Sequence, residues 1–459
     1  MGLSDQEQEQ EKELESAPSV DLPLALHCNS RSCSRAARNF SECGRPGRSK
    51  RRMAGRSGLV PRCQAADDAA PGDGRTPVAC GSAALRNSAR QTEILGENIE
   101  LCTLNFEFML RSVLDSLTAQ LAQGAALSDE QVVEAVGRLV NEEVAVQSKA
   151  DFLAALARKG ETVSEIVAFA RELRAKSVRP PLDETTRAGE ILDVCGTGGD
   201  RLNTFNISST VALIVASAGV VVAKHGNRAI TSQCGSADVF EALGIRIELA
   251  PEEAARSLRE HHFAFFFAPK YHPAFKQIAP ARRLCAERGQ RTIFNFLGPL
   301  LNPAGPTAQL IGVPRVELCE PLARVLQALG IRRGMVVCGR VGEAQLDELS
   351  TLGTNSVAEF YQDRAFATST FVPNHFPLQN ATLADLAGAD RATNAQIVRR
   401  LLRGEDLGPR RDAVLLNAAA ALFVATRTKS LTEGWELAAE LIESGKADAK
   451  LNEIAAASR

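Results

Sequence analysis

The chain is short of several things, and each absence closes a class of function. No apolar run in its 459 residues reaches the roughly 20 needed to span a bilayer, which excludes a membrane-spanning helix. Eleven cysteines occur without a CxxC pair or a histidine spacing of the zinc-binding kind, so they read as reduced thiols in a reducing compartment. Neither charge is in excess. With 53 basic residues against 55 acidic ones, a nucleic-acid partner held by bulk electrostatics is not expected. No Lys-Ser or Lys-Thr follows the glycine-rich loops and no GxGxxG occurs in them, so neither a Walker A loop nor a dinucleotide fingerprint is present, and ATP and NAD are excluded as expected ligands. Apolar residues are plentiful at 45%, enough for a large core shared among two or three folding units.

The informative stretch lies between Asp193 and Asp238, where three polar, glycine-rich loops each adjoin a short apolar run. They read DVCGTGGD (Asp193–Asp200), NISST (Asn206–Thr210) and KHGNRAITSQCGSAD (Lys224–Asp238). Ile191 and Leu192 lead into the first as a buried strand, after which Gly196, Gly198 and Gly199 let backbone N–H groups approach an anion. Ser208, Ser209 and Thr210 head a buried helix expected over Val211–Ala218 and closed by Gly219; its N-terminal amides also favour phosphate. The run Val220–Ala223 reads as a second strand that delivers Lys224 and the loop His225–Arg228 to the same sheet edge. Glycine turns after strands are common in any α/β protein. Here the anion ligands recur at βα spacing with Asp200, Asn206, Lys224 and Asn227, which a structural turn does not require. Cys195 and Cys234, inside these loops, are expected to be small buried spacers.

Residues 1–100 differ from the rest. Asp5–Glu15 is acidic and rich in Gln, whereas Arg31–Arg62 is dense in Arg, Ser, Gly and Cys with Glu42 as its only acid. Neither stretch carries the periodicity of a packed element, so a disordered extension is expected. Two readings stay open: an organelle transit peptide, with Met53 as the true start, or an ordinary disordered tail.

From Phe106 to about residue 180 the pattern is all-helical. Ser128 with Gln131 forms a capping box ahead of the stripe Val132, Val136, Leu139 and Val140. Ser148 is expected to cap the next helix, whose Phe152, Leu153 and Leu156 face inward until Gly160 stops it. Thr162 with Glu165 opens another, carrying Ile166, Phe169, Ala170 and Leu173, and Pro180–Pro181 ends the unit. From residue 185 to 459 strands alternate with helices, which predicts an α/β domain with a mostly parallel sheet covered on both faces.

With these loops the chain carries FAPKYHPAF (Phe267–Phe275), Pro280–Arg283, RTIFNFLGPLLNP (Arg291–Pro303), LDELS (Leu346–Ser350) and NAAAAL (Asn417–Leu422). In that order, from about Phe106 to the C-terminus, the set resembles the anthranilate phosphoribosyltransferase family of tryptophan biosynthesis. The resemblance implies a small N-terminal helical domain and a large α/β domain of the glycosyltransferase family 3 type, the nucleoside phosphorylase and phosphoribosyltransferase class. It also implies a homodimer formed through the helical domain, and a stretch around Tyr271–Asn302 that returns to that domain. Phosphoribosyl pyrophosphate and Mg2+ are expected at the cleft, with neither nucleic acid nor membrane as partner. Because the tryptophan pathway is plastidial in photosynthetic eukaryotes, a transit peptide favours a plastid; otherwise the location is cytoplasmic.

The resemblance also distributes roles. Gly196, Gly199, Asp200, Thr204, Asn206, Ser208, Ser209, Lys224 and Ser236 contact the phosphoribosyl donor; Ser209 stands where members often carry Thr, and the hydroxyl survives. The adjacent acids Asp347 and Glu348 match the metal pair, with Ser208 supplying a hydroxyl, in keeping with magnesium's preference for a few oxygens plus substrate phosphates. The family motif has Gly before Leu-Asp-Glu; this chain has Gln345 and an expected extended loop over Gly339–Gln345, which touches loop geometry and not the ligands. Arg282 matches the position that grips the anthranilate carboxylate, with Arg283 as a substitute. Asn227 reaches the aromatic substrate and Gly196 lets it lie near C1. His225 is assigned a positioning role, because an aryl amine bonded to C1 becomes acidic enough to lose its proton to water. Tyr271 and His272 either shape the cleft or pack. No covalent nucleophile is expected.

Two rivals predict other sequences. A pyrimidine nucleoside phosphorylase calls for a KHSTGG-like loop in place of Lys224–Arg228, and a non-catalytic nucleic-acid-binding relative calls for a basic surface without metal carboxylates. Neither fits.

Overall fold

The computed structural model describes residues 113–229 and 233–458. The expected extension over 1–100, Met53 and the start of the helical lobe at Phe106 lie outside the described residues, as do Ile230, Thr231 and Ser232 of the third loop.

A helical lobe comes first, with α1 (113–122), α2 (Asp129–Leu139), α3 (Val146–Lys159) and α4 (Val163–Ala175). Local chemistry starts two of these helices. Ser128 Oγ accepts from Gln131 N at 3.3 Å while Gln131 Oε1 accepts from Ser128 N at 2.9 Å, and Thr162 with Glu165 repeats the exchange at 3.2 and 2.8 Å. Ser148, however, does not cap α3. The helix begins three residues earlier, at Val146, with Ala145 at the cap and no side-chain capping bond. Lys149 Nζ reaches back to Asn141 O at 2.6 Å and tightens the preceding turn, so the helix winds straight out of it. Gly160 stops α3 with φ of 86°.

The lobe buries Val132, Val136, Leu139, Phe152, Leu153, Leu156, Ile166, Phe169 and Leu173 in one cluster that also takes in Ile278, Ile293, Phe294, Leu297 and Leu300. Lys149 Nζ donates to Gln277 O at 3.1 Å and Gln290 Nε2 to Ala154 O at 3.0 Å. The segment after the third strand thus leaves the sheet and packs on α3.

The α/β part runs β1 (Ile191–Gly196), α5 (Ile207–Ser217), β2 (Val221–Gly226), α6 (Ser236–Ala242), α7 (Pro251–His261), β3 (Phe263–Phe267), α8 (Ala279–Glu287), β4 (Ala308–Gly312), α9 (Cys319–Ala328), β5 (Arg333–Val341), β6 (Ala344–Leu346), β7 (Asn355–Tyr361), β8 (Ala365–Phe371), α10 (Arg391–Leu402), α11 (Pro409–Val424), α12 (Leu431–Glu443) and α13 (Lys446–Ala457). The sheet order is β3-β2-β1-β4-β5-β7-β8, with β6 also on β5. Strands β1 to β5 pair in parallel; β6, β7 and β8 are antiparallel. Alternate residues feed two cores: Leu310, Met335 and Val337 face α5 and α11, while Ile311, Val336 and Cys338 face α9 and the helical lobe. No helix of the described residues is long and apolar enough to cross a membrane.

From β1 the chain steps outward through β2 to β3, then returns to lay β4 on the other side of β1. The order therefore reverses between β1 and β4, and the carboxyl ends of those strands open a crevice of the kind in which α/β sheets bind ligands. The expected loop over Gly339–Gln345 is instead a hairpin: Gly339 pairs with Leu346, Arg340 with Gln345 and Val341 with Ala344. Gly342, at φ 58°, makes the tight reversal that a longer loop would not need.

Candidate active site

The three loops and the LDELS turn meet at this crevice. The first loop leaves β1 with Gly198 and Gly199 at φ 76° and 91°, followed by Arg201 and Asn203 at 62° and 51°. Four left-handed residues within six positions bend the loop sharply, and the non-glycine members cost about 1–3 kcal/mol each in backbone strain. Thr204 ties the loop down through a bridge to Ala387.

Helix α5 starts at Ile207, four residues before the expected Val211, so Ser208, Ser209 and Thr210 lie inside its first turn. Ser208 N donates to Glu348 Oε1 at 3.2 Å, and Thr210 Oγ1 donates back to Asn206 O at 2.9 Å. Ser209 is buried; its N–H belongs to the turn that has no intrahelical acceptor. Asn206 is held at both ends, its Nδ2 donating to Cys234 O at 3.2 Å and its Oδ1 accepting from Asn394 Nδ2 at 3.0 Å.

Strand β2 is longer than expected and carries Lys224 and His225 within it. Lys224 is buried, with Nζ donating to Val194 O at 2.5 Å and to Ser208 Oγ at 3.3 Å. Burial draws its pKa down, and the charges around it, Asp193 and Glu348 among them, oppose that fall. Asp193 escaped notice as a site residue. It lies fully buried in mid-strand, accepting from Asn302 Nδ2 at 2.9 Å and from His225 N at 3.3 Å, and burial raises its carboxyl to about 6. An acid inside an otherwise apolar strand is the signal that would have found it.

His225 is buried, its Nδ1 3.1 Å from Gly298 O and its ring edge-on to His272 at 5.2 Å. Burial, reinforced by His272, lowers its pKa to about 3, so it is neutral in ordinary buffers and suited to positioning. A proton on Nδ1 for Gly298 O leaves Nε2 as an acceptor, and that atom has no hydrogen-bond partner. Tyr271 is packed, its hydroxyl donating to Leu249 O at 3.0 Å. Asn227 Oδ1 accepts from Arg228 N at 2.8 Å, and Ser236 Oγ donates to Asn227 O at 3.4 Å. Arg228 is spent on Asp238 and Glu241, both at 3.0 Å.

The LDELS turn lies across the ends of β1 and β4. A Cβ on Gly312 would meet Asp347 O at 1.7 Å, and one on Gly196 would meet Asp347 Oδ2 at 2.3 Å. Both glycines are there because the backbone and side chain of Asp347 occupy that space. Gly198 N donates to Asp347 Oδ2 at 2.6 Å. Burial, then Asp200 and Glu348, push the Asp347 carboxyl well above its ordinary range; burial raises Glu348 to about 7 against the pull of Lys224. Asp200 Oδ2 is buried without a partner. Crowded carboxylates with one orphaned oxygen call for a cation. Among the described residues no three His, Cys, Asp or Glu groups form a cage.

On the lobe side, Arg282 lies over the Phe294 ring at 5.2 Å, and desolvation lowers its pKa with no carboxylate opposing. Arg283 is exposed on the same helix. Cys195 and Cys234 are buried, and burial raises both thiols, Cys234 to about 11, which keeps them unreactive.

Comparison with known proteins places this geometry among relatives. Residues 188–448 match the glycosyl transferase family a/b domain and residues 115–177 its helical bundle domain. Anthranilate phosphoribosyltransferase from Symbiobacterium thermophilum is 46% identical over 334 residues, covering 73% of this chain and 94% of the relative. Its counterpart from Moorella thermoacetica is 46% identical over 344 residues, 75% and 98% of the two chains. Among solved structures, the Thermus thermophilus enzyme superposes with a TM-score of 0.68 at 40% identity, covering 75% of this chain and 99% of that one. The Saccharomyces cerevisiae enzyme in complex with PRPP and Mg gives 0.67 at 27% identity, over 76% and 98%.

Proposed function

This chain belongs to the anthranilate phosphoribosyltransferases of the glycosyl transferase family, and from that membership we propose that it transfers phosphoribose from phosphoribosyl pyrophosphate to the amine of anthranilate. The C1–O bond of the donor breaks and its electron pair leaves with pyrophosphate. The amine nitrogen forms the new C1–N bond and releases a proton to solvent, giving N-(5-phosphoribosyl)anthranilate. The observation that carries this reading is the docking of Asp347 and Glu348 onto the glycine loop and the N-terminus of α5.

Each part of the site has work in that reaction. The N–H groups of the Gly196–Asn203 loop and of the first turn of α5 that Asp347, Glu348 and Asp200 do not take, together with the Lys224 ammonium, serve the donor's phosphates, where preorganised dipoles outperform water. Gly196, Gly199, Asp200, Thr204, Asn206, Ser208, Ser209 and Ser236 complete the donor site. Asp347, Glu348 and Ser208 are the residues that would hold Mg2+. When bound, Mg2+ supplies positive charge to the leaving pyrophosphate. Arg282, desolvated and unmatched by a carboxylate, suits a bidentate grip on anthranilate, while Asn227 and neutral His225 orient the ring. The domains are assigned as 106–180 for the helical lobe and 185–459 for catalysis.

A homodimer through the helical lobe is part of the proposal, supported by Val133 and Val146, which stand 48% and 41% exposed on α2 and α3. Sedimentation at micromolar concentration tests it. A plastid destination rests on the Arg- and Ser-rich, acid-poor composition of Arg31–Arg62, and mapping the mature N-terminus tests it. The central assay mixes protein with phosphoribosyl pyrophosphate, Mg2+ and anthranilate and follows the loss of anthranilate fluorescence. Activity there without phosphorolysis of a pyrimidine nucleoside supports this reading; the reverse result rejects it.

A further inference from the structure

Immediately after Glu348 the chain runs through Leu349 and Ser350, which belong to no strand and are 1% and 0% exposed. Their backbone groups would be orphaned in an apolar interior, at a cost of about 1–3 kcal/mol each. Two fully buried asparagines satisfy them instead. Leu349 N donates to Asn417 Oδ1 at 2.9 Å, and Asn417 Nδ2 donates to Leu349 O at 2.9 Å. On the next residue, Ser350 N donates to Asn355 Oδ1 at 2.7 Å, and Asn355 Nδ2 donates to Ser350 O at 2.9 Å. Each amide does for one residue what a neighbouring strand would do, and the two grip consecutive residues of the turn.

The two asparagines come from different parts of the fold. Asn355 starts β7 and lies opposite Gly339 of β5, so it is fixed by the sheet. Asn417 sits in α11 within an apolar run, and its second Nδ2 hydrogen goes to Ala413 O at 2.9 Å, one turn back. All three bonds of this amide are thus made to backbone, and its ring-like exchange with Leu349 ties the helix to the turn. Beneath the turn lie glycines. A Cβ on Gly339 would meet Glu348 O at 2.6 Å and Ser350 N at 2.7 Å, and the contacts of Gly196 and Gly312 with Asp347 continue that floor. The Asp347–Glu348 peptide has no room to drop, and the amides keep it from sliding or lifting.

We propose that Asn417 and Asn355 are positioning residues for the metal-binding carboxylates, a pair of amide clamps that set where Asp347 and Glu348 point. This rests on the reading of those acids as the Mg2+ ligands. The amides touch neither metal nor substrate. They act through the backbone, as outer-shell partners do when their loss weakens metal binding by about 10–100-fold.

The test uses the full-length protein and Mn2+ as a spectroscopic substitute, with free Mn2+ followed by electron paramagnetic resonance in the presence of phosphoribosyl pyrophosphate. Asn417→Asp keeps the acceptor for Leu349 N and removes the donors to Leu349 O and Ala413 O. Asn355→Asp does the same on the other side. Each is expected to weaken Mn2+ binding by about tenfold, with the anthranilate KM at saturating metal unchanged. A merely structural role would lower the thermal midpoint and leave the Mn2+ affinity of the folded fraction alone. Asp347→Ala is the control. If Asp347→Ala leaves Mn2+ binding intact, the ligand assignment fails. If Asp347→Ala abolishes it while both asparagine variants bind Mn2+ like the parent, the clamp proposal is overturned. Should Asn417→Asp fail to fold, Asn355→Asp decides alone.

Discussion

The backbone N–H of Gly198 points at Oδ2 of Asp347 across 2.6 Å, so the glycine loop after β1 and the turn after β6 close on each other although 149 residues separate them. In the proposed reading, an amide of the phosphate loop is thereby tied to a metal-binding carboxylate, and the donor and metal sites share one structure where the strand order reverses. That coupling explains the glycines that end β1 and β4: Gly196 and Gly312 leave the room in which Asp347 sits.

Gly312→Ala should therefore disable the enzyme while leaving every proposed ligand side chain chemically unchanged. Its Cβ would lie 1.7 Å from Asp347 O and 2.3 Å from Asp347 C, and these are backbone atoms that cannot rotate away. Overpacking of this kind costs about 1–3 kcal/mol or more. Loss of about fivefold or more in kcat/KM, with a lowered thermal midpoint, is expected if the displaced turn carries that cost into the transition state, since each 1.4 kcal/mol is a factor of ten. Unchanged kinetics would show that the turn does not rest on β4.

Arg282→Ala should raise the KM for anthranilate far more than that for phosphoribosyl pyrophosphate. The guanidinium is desolvated against Phe294 and lacks a carboxylate, so the acceptor's carboxylate gains a charge-assisted pair at little further cost. Arg282→Lys, which keeps the charge but loses the planar fork, should recover only part of the loss. Initial rates over a grid of both substrates read the split. A larger effect on the donor would move Arg282 out of the acceptor site.

Asp347→Ala should cut turnover severely and leave the association state unchanged. Removing this carboxylate also removes the acceptor of Gly198 N, so the glycine loop loses its tie to the turn. Turnover at limiting Mg2+ is the measurement. Full activity there would reject Asp347 as a metal ligand.

Much of this architecture was legible because its signals are local. The capping boxes at Ser128 and Thr162, the stop at Gly160 and the alternation of β1 with α5 each depend on residues a few positions apart. Ser148 misled because what starts α3 is the turn tightened by Lys149, not a cap. The hairpin of β5 with β6 was missed because Gly342-Glu343 carries a weaker turn signature than Asn-Gly or Asp-Gly. Asn417 lay in a motif the sequence displayed, yet its work was unreadable there, since its partner Leu349 is 68 residues away. The same holds for Asp193 and Asn302, separated by 109 residues.

His225 carries the last prediction, a pH dependence of stability whose sign is fixed by its burial. Its folded pKa of about 3 lies below the ordinary histidine value of 6.5, so between these limits the unfolded chain binds a proton that the folded chain refuses. Stability therefore falls as pH drops from 6.5 toward 3, by up to about 2 kcal/mol at pH 5 from this residue. His272, lowered to about 4, acts in the same direction, while Asp193, raised to about 6, opposes both by taking a proton more readily when folded. His225→Gln leaves those two groups in place, so the difference between variant and parent isolates one imidazole. Urea midpoints at pH 7 and pH 5 should converge in the variant relative to the parent. An equal loss of stability in both proteins would mean that His225 takes up its proton in the folded state, and with that its role as a neutral positioning group would fall.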